Sequence, residues 1–204
     1  MRAVFIFVVI LVLLSLAVPV TFAVQLWMDG QATLARAERS GALHVPPAGQ
    51  LSTAERTIAM HEFRETWRGS AIPCRTFALL WADLTEGAGP RGMPVSHKVA
   101  ASVLGEQRGT SVRWQLRRLV VACQLERRFD DRQLLRMWLE EAYFGRGATG
   151  VEGAAQAIFG KPSSALGRGE SARLAALLRA PGLRANEELW AERARVIEER
   201  ANAR

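Results

Sequence analysis

From Ala3 to Leu26 the chain carries no charged residue, and the run AVFIFVVILVLLSLAVPVTFAVQL is interrupted only by Ser15, Pro19, Thr21 and Gln25. About 20 apolar residues in a helix span the hydrocarbon core of a bilayer, so residues 3–26 predict one N-terminal transmembrane helix. A cleaved signal peptide ending near Thr21-Phe22-Ala23 is the other reading, although the apolar run exceeds the roughly 7–15 residues of such segments. Arg2 precedes the run and Asp29 follows it. The positive-inside bias then puts the amino terminus in the cytoplasm and the body outside. Residues 27–50 read as a polar linker ending at Pro46-Pro47.

Beyond the linker, apolar positions recur with helical period and no useful stretch alternates with period two. Residues 51–68 predict a helix, with Ser52 or Thr53 as cap and Glu55 in its first turn. Residues 72–84 predict a second helix with Pro73 at its start. A Gly- and Pro-rich loop follows over 86–94, then a short helix over 95–104. Within 110–128, Val112, Leu116, Leu119, Val120 and Cys123 share one face. Further helices are predicted over 131–143, 151–159, 169–179 and 187–202, with a glycine turn, GRGATG, after the first of these. The body, 51–204, is therefore mainly α.

The 204 residues are 49% apolar and 23% charged, which excludes disordered and collagen-like classes and leaves room for one domain. The chain has 27 basic and 20 acidic residues, a net charge of +7, and its lysines are Lys98 and Lys161 alone. Arginine binds phosphate and carboxylate through a planar fork, which suits an anionic partner; genome base composition also enriches arginine. The two cysteines, Cys74 and Cys123, could pair in an exported body, but Cys123 in LVVACQL reads equally as a small buried hydrophobe. His44, His61 and His97 are scattered, and no metal-ligand spacing is present.

The segment LLRMWLEEAYFGRGATGVEGAAQAIFGK, residues 134–161, resembles glycosyltransferase family 51, the peptidoglycan glycosyltransferases or transglycosylases. Trp138-Leu139-Glu140 stands at the family's Tyr-Leu-Asn. Gly145, Gly150, Ala154, Ala155, Phe159, Gly160 and Lys161 match the positions that follow. Leu166, Glu170, Ala172, Leu174, Ala175 and Pro181 match the next motif, and Ala122, Leu125 and Glu126 the end of an upstream one. The resemblance implies a lysozyme-like transglycosylase domain after one N-terminal transmembrane helix. With 23 residues after Pro181, a monofunctional protein is expected.

Three motifs depart from the family pattern. The Glu-Asp pair of the first, whose Glu is the family's base, is represented by His61-Glu62. The second survives at Gly92, preceded by Arg91, with His97-Lys98 in place of polar residues. In the third, Arg118 stands where the second functional Glu belongs, and Trp114-Gln115 replace an Arg-Lys pair. By resemblance the candidate catalytic residues are Glu62 and His61. The candidate substrate-binding residues are Arg91, Lys98, Arg117 and Arg118. Each cation also has a plainer reading, as a loop end or a solvated helix face. Glu126-Arg127-Arg128 is expected to form structural ion pairs, and Glu140 lacks the donor of the family's Asn. The family implies lipid II and nascent glycan chains as partners, with the membrane, other cell-wall synthesis proteins and a divalent metal, Mg or Mn, but no nucleic acid. The expected setting is a bacterial inner membrane, single-pass, with the body in the periplasm. Catalysis is expected to be impaired, because both catalytic Glu positions are altered; a non-catalytic lipid II-binding or scaffold protein is the alternative.

Overall fold

The structure, a computed structural model, describes residues 2–67, 74–79, 92–105 and 111–202; side chains in the first helix are described at Ser15 and from Ala17 onward. Helix α1 runs over Arg2–Arg39 and α2 over Thr53–Glu62. Residues 75–79 are helical (α3). There follow α4 (Val95–Val103), α5 (Val112–Arg128), α6 (Asp131–Glu141), α7 (Val151–Phe159), α8 (Arg168–Arg179) and α9 (Glu187–Asn202). Short 3-10 turns occupy Ser163–Ala165 and Pro181–Ala185. Among the described residues there is no strand, only one isolated bridge between Tyr143 and Thr149. The mainly α expectation therefore holds.

Local signals explain the helix starts. Ser52 and Glu55 close a reciprocal capping box at α2, as do Asp130 and Gln133 at α6. Ser111 accepts from the Trp114 amide at the start of α5. Gly160, at φ 66°, closes α7 in the left-handed conformation. The core runs from Leu34 on α1 through Ile58, Leu125, Leu134, Leu139, Leu174 and Leu177 to Ile197 on α9. Helix α8 packs between α2 and α9, while α5 packs on α1 and α4.

The predicted linker is helical over its whole first half, since α1 continues to Arg39. Leu26, Gly30, Leu34 and Ala37 are buried on one face, a stripe at near-helical spacing that the polar composition of the segment hides. Gly30 lies directly on α5, where an added Cβ would come within 2.8 Å of Gln124 Oε1. Gln124 Nε2 donates to the Trp27 carbonyl at 2.8 Å, and Arg128 pairs with Glu38 at 2.9 Å. Among the described residues no helix is long and apolar enough to cross a membrane. Most side chains of the 3–26 run lie outside the described residues; within it, Val18, Val20 and Val24 are exposed.

Other boundaries shift modestly. The 51–68 helix stops at Glu62, and the predicted loop over 86–94 lies largely outside the described residues, as do 72–73 and 80–84 of the second predicted helix. On α5 the buried stretch is Val121–Glu126, while Val112 is exposed. Cys74 and Cys123 form a disulfide, so Cys123 is not a free buried thiol. Leu174 and Leu177 are fully buried, and Phe159 is half-buried at the end of α7, its ring 6.4 Å from that of Trp190.

Candidate functional site

Two groups of the candidate residues come together, one at the end of α2 and one where α4 meets α5. His61 and Glu62 occupy the last turn of α2, with side chains only 10% and 7% exposed. Glu62 Oε1 accepts from Arg179 Nε at 2.8 Å and lies 3.6 Å from His61 Nε2. Burial holds the His61 pKa below its ordinary value; Glu62 opposes this, and Arg179, Arg193 and Arg200 reinforce it. At neutral pH the imidazole is therefore uncharged and can accept a proton, though as a weaker base than a free histidine. The carboxylate beside it is already engaged by a guanidinium.

In the second group, Arg118 is half-buried, and its Nε donates to the His97 carbonyl at 3.1 Å. Its guanidinium stacks on the Trp114 ring at 5.3 Å. Burial lowers the Arg118 pKa from its ordinary value, yet arginine at this position remains a cation and cannot serve as a base. His97 is buried in the first turn of α4, not at a solvated loop end. Its pKa is depressed to about 4, by burial first and then by Arg118 and Lys98. Lys98 lies over the Trp138 ring at 5.9 Å, and Trp138 meets Phe63 edge-on at 5.2 Å. Phe63 directly follows Glu62, so two aromatic rings separate the Lys98 ammonium from the end of α2.

The remaining candidates separate. Arg91 lies outside the described residues. Arg117 turns toward α1, its Nη2 3.5 Å from Thr33 Oγ1. Glu126 does not form the expected ion pair. Its buried Oε1 instead accepts from the hydroxyls of Thr76 and Ser96, each at 2.6 Å, and Thr76 N donates to Oε2 at 3.4 Å. Together with the neighbouring disulfide, this ties α3 and α4 to α5. Glu140 is exposed at the rim of a small cleft, its pKa raised by partial desolvation, with His44 opposing and Glu141 adding.

The residues that sequence reasoning missed are Arg179, Arg193 and Arg200. They come from α8 and α9, more than a hundred positions after His61, and only the packing of those helices on α2 brings them to it. The available signal was the seven-residue spacing of Arg193 and Arg200, two helical turns on one face.

The donor set does not fit the divalent metal that the resemblance implied. Among the described residues no three His, Cys, Asp or Glu side chains converge. Arg118, a guanidinium, cannot ligate a cation, and Glu62 is paired with Arg179. No chemical step is derived through a metal.

Residues 73–202 match the Transgly family, described as Transglycosylase. The match begins downstream of His61 and Glu62. The chain is similar to penicillin-binding protein 1A of Aquifex aeolicus, 36% identical over 90 residues, covering 44% of this chain and 12% of that protein. It is similar to penicillin-binding protein 2a of Streptococcus pneumoniae, 29% identical over 129 residues, 63% of this chain and 17% of that protein. A biosynthetic peptidoglycan transglycosylase of Ralstonia nicotianae is 43% identical over 63 residues, 31% of this chain and 27% of that protein. The chain thus spans well under a third of the length of these relatives.

Proposed function

Because the chain belongs to the transglycosylase family, we propose that it is a membrane-anchored, peptidoglycan glycosyltransferase-like protein that binds lipid II and turns it over slowly or not at all. What supports this reading is the charge carried at the two positions that the resemblance aligns with the family's carboxylates. An imidazole, His61, stands at one and a guanidinium, Arg118, at the other, while Glu62 is held by Arg179 at 2.8 Å. The helical body supports a lysozyme-like domain. The Cys74–Cys123 disulfide supports export to an oxidising compartment, because such bonds persist there. The uncharged run from Ala3 to Leu26 supports the anchor, with the body in the periplasm.

In glycosyl transfer a sugar hydroxyl of the acceptor attacks the anomeric carbon of the donor. A carbon–oxygen bond forms, the bond from that carbon to the lipid diphosphate breaks, and the hydroxyl proton passes to a base. Here His61 is the group able to take that proton. Lys98 and Arg118 supply positive charge for the departing diphosphate. A depressed imidazole in place of a positioned carboxylate forfeits part of the roughly 10²–10⁴-fold that general-base catalysis contributes.

The test is glycan polymerisation from lipid II by the full-length protein in detergent, alongside direct lipid II binding. Binding with undetectable or very slow polymerisation is expected. Turnover comparable to an ordinary family member overturns the reading. If residual turnover is seen, His61→Ala should abolish it and Glu62→Gln should not. The non-catalytic alternative, a lipid II-binding scaffold for other cell-wall synthesis proteins, is favoured by the Glu62–Arg179 ion pair. It is supported if His61→Ala changes neither binding nor any measurable rate.

A further inference from the structure

The contacts of α5 with α1 sort into two levels. Arg113, at the start of α5, reaches Asp29 at 4.0 Å, and Arg127, near its end, lies over the Trp27 ring at 5.8 Å. Arg117 and Arg128 reach farther along α1, to Thr33 at 3.5 Å and to Glu38 at 2.9 Å. Gln124 sits between the two levels, donating to the Trp27 carbonyl and lying on Gly30. Arg113 and Arg127 are about 20 Å apart along α5, yet they meet α1 within about 3 Å of its length. Helix α5 therefore crosses α1 steeply. At helical spacing, positions 113, 116, 120 and 127 share one stripe, and 117, 124 and 128 share the neighbouring stripe turned to α1. Leu116 and Val120 are half-buried but do not join the hydrophobic core, and Val112 beside them is exposed. We propose that the stripe of Arg113, Leu116, Val120 and Arg127 docks on the anionic phospholipids of the bilayer that holds α1, and so fixes the tilt of the body over the membrane.

The proposal rests on the reading of residues 3–26 as a membrane anchor. The charge-free run ends at Leu26, so residues 27–29 stand within about 5 Å of its end. The head-group layer is about 5–8 Å deep on each side of the hydrocarbon. Both ends of the stripe therefore touch α1 at head-group level, where a tryptophan such as Trp27 commonly sits. Structural pairing does not account for the two arginines. Arg113 keeps a side chain 71% exposed beside Asp29, an open ion pair of the kind that contributes little to stability. Arg127 is also exposed, and a guanidinium over a ring keeps its in-plane N–H donors for another acceptor. Asp29 is the only acidic residue in the first 37, so the net charge at this level is positive. Guanidinium forks match phosphate oxygens bidentately, and arginine stems lie along apolar surface while their heads stay in the polar layer. Leu116 and Val120, between the two cations, supply that apolar surface toward the acyl chains.

The experiment reconstitutes the full-length protein in phosphatidylcholine vesicles and measures, by electron paramagnetic resonance, its preference for spin-labelled phosphatidylglycerol over spin-labelled phosphatidylcholine. The wild type is expected to prefer phosphatidylglycerol, less so as salt is added. Arg113→Gln/Arg127→Gln should lower the preference, by up to about fivefold for each arginine. Both side chains are exposed, so this variant should keep the wild-type melting temperature. Arg146→Gln/Arg195→Gln removes the same charge from the glycine turn and from α9, at exposed positions, and should leave the preference unchanged. A second measurement places a nitroxide on a Val112→Cys variant, whose new thiol is the one available because Cys74 and Cys123 are paired. In the vesicles its relaxation should respond more to oxygen than to a water-soluble chelate. No preference for phosphatidylglycerol, a preference that survives in Arg113→Gln/Arg127→Gln, or a label that responds chiefly to the chelate overturns the docking surface. Flotation with the vesicles separates the two readings. Protein that floats but shows one of these results refutes the α5 surface alone, whereas protein that stays in solution refutes the anchor and the surface with it.

Discussion

Replacing Gly145 by alanine tests the link between the glycine turn and the end of α8. Gly145 sits at φ 93°, where an L side chain is strained, a cost of about 1–2 kcal/mol. An added Cβ would also fall 2.8 Å from the Pro181 carbonyl oxygen and 3.1 Å from Pro181 Cβ. That neighbour is partly backbone, in the 3-10 turn just after Arg179, and cannot rotate aside. Overpacking of this kind adds about 1–3 kcal/mol. The total is about 2–5 kcal/mol, or a fall in melting temperature of about 10 °C for a chain of this size. Gly147 provides the control. It has φ 79° but nothing within 4 Å of an added Cβ, so Gly147→Ala should show the strain alone, about 3 °C. Thermal melts of the two full-length variants in detergent, followed by circular dichroism, make the comparison. Equal losses would refute the packing of this turn against Pro181.

Three further outcomes are expected. Leu174→Ala, at a fully buried position on α8, should cost about 2–5 kcal/mol, and an unchanged melting temperature would show that the register of α8 is wrong. Reducing the Cys74–Cys123 bond, which closes a loop across a separation of 49 residues, should lower stability by up to about 4 kcal/mol; a denaturation midpoint indifferent to reductant would contradict this. The pH dependence follows from His97, whose folded pKa is about 4 against about 6.5 unfolded. As pH falls from about 6.5 toward about 4, the unfolded chain binds a proton that the folded chain does not, so stability declines across that window. The shift corresponds to a loss of up to about 3 kcal/mol. A His97→Gln variant should lose this part of the slope, and an identical pH profile for variant and wild type would refute it.

The strong periodicities were legible without the fold. The Leu134–Leu135–Leu139 face, the Leu174–Leu177 face, the cap at Ser52 and the GRGATG turn all follow from local rules, because each depends on residues within a few positions. The motifs around Trp138, Gly150 and Gly160 were equally readable and point to the family that residues 73–202 match. The identities of His61 and Arg118, the candidates that the resemblance singled out, were visible in the sequence. Their surroundings were not. The helical continuation of α1 through a polar segment depends on its packing against the distant α5, where Gln124 lies on Gly30, which turns Gly30, Leu34 and Ala37 into a buried stripe. Glu126 looked like one member of a surface charge run. It is buried because Thr76 and Ser96, 50 and 30 positions earlier, supply hydroxyls that stabilise its carboxylate. The convergence of Arg179, Arg193 and Arg200 on His61 has no local cause at all. Electrostatics acts through space, so only the packing of α8 and α9 on α2 decides that a histidine near the start of the chain meets three arginines near its end.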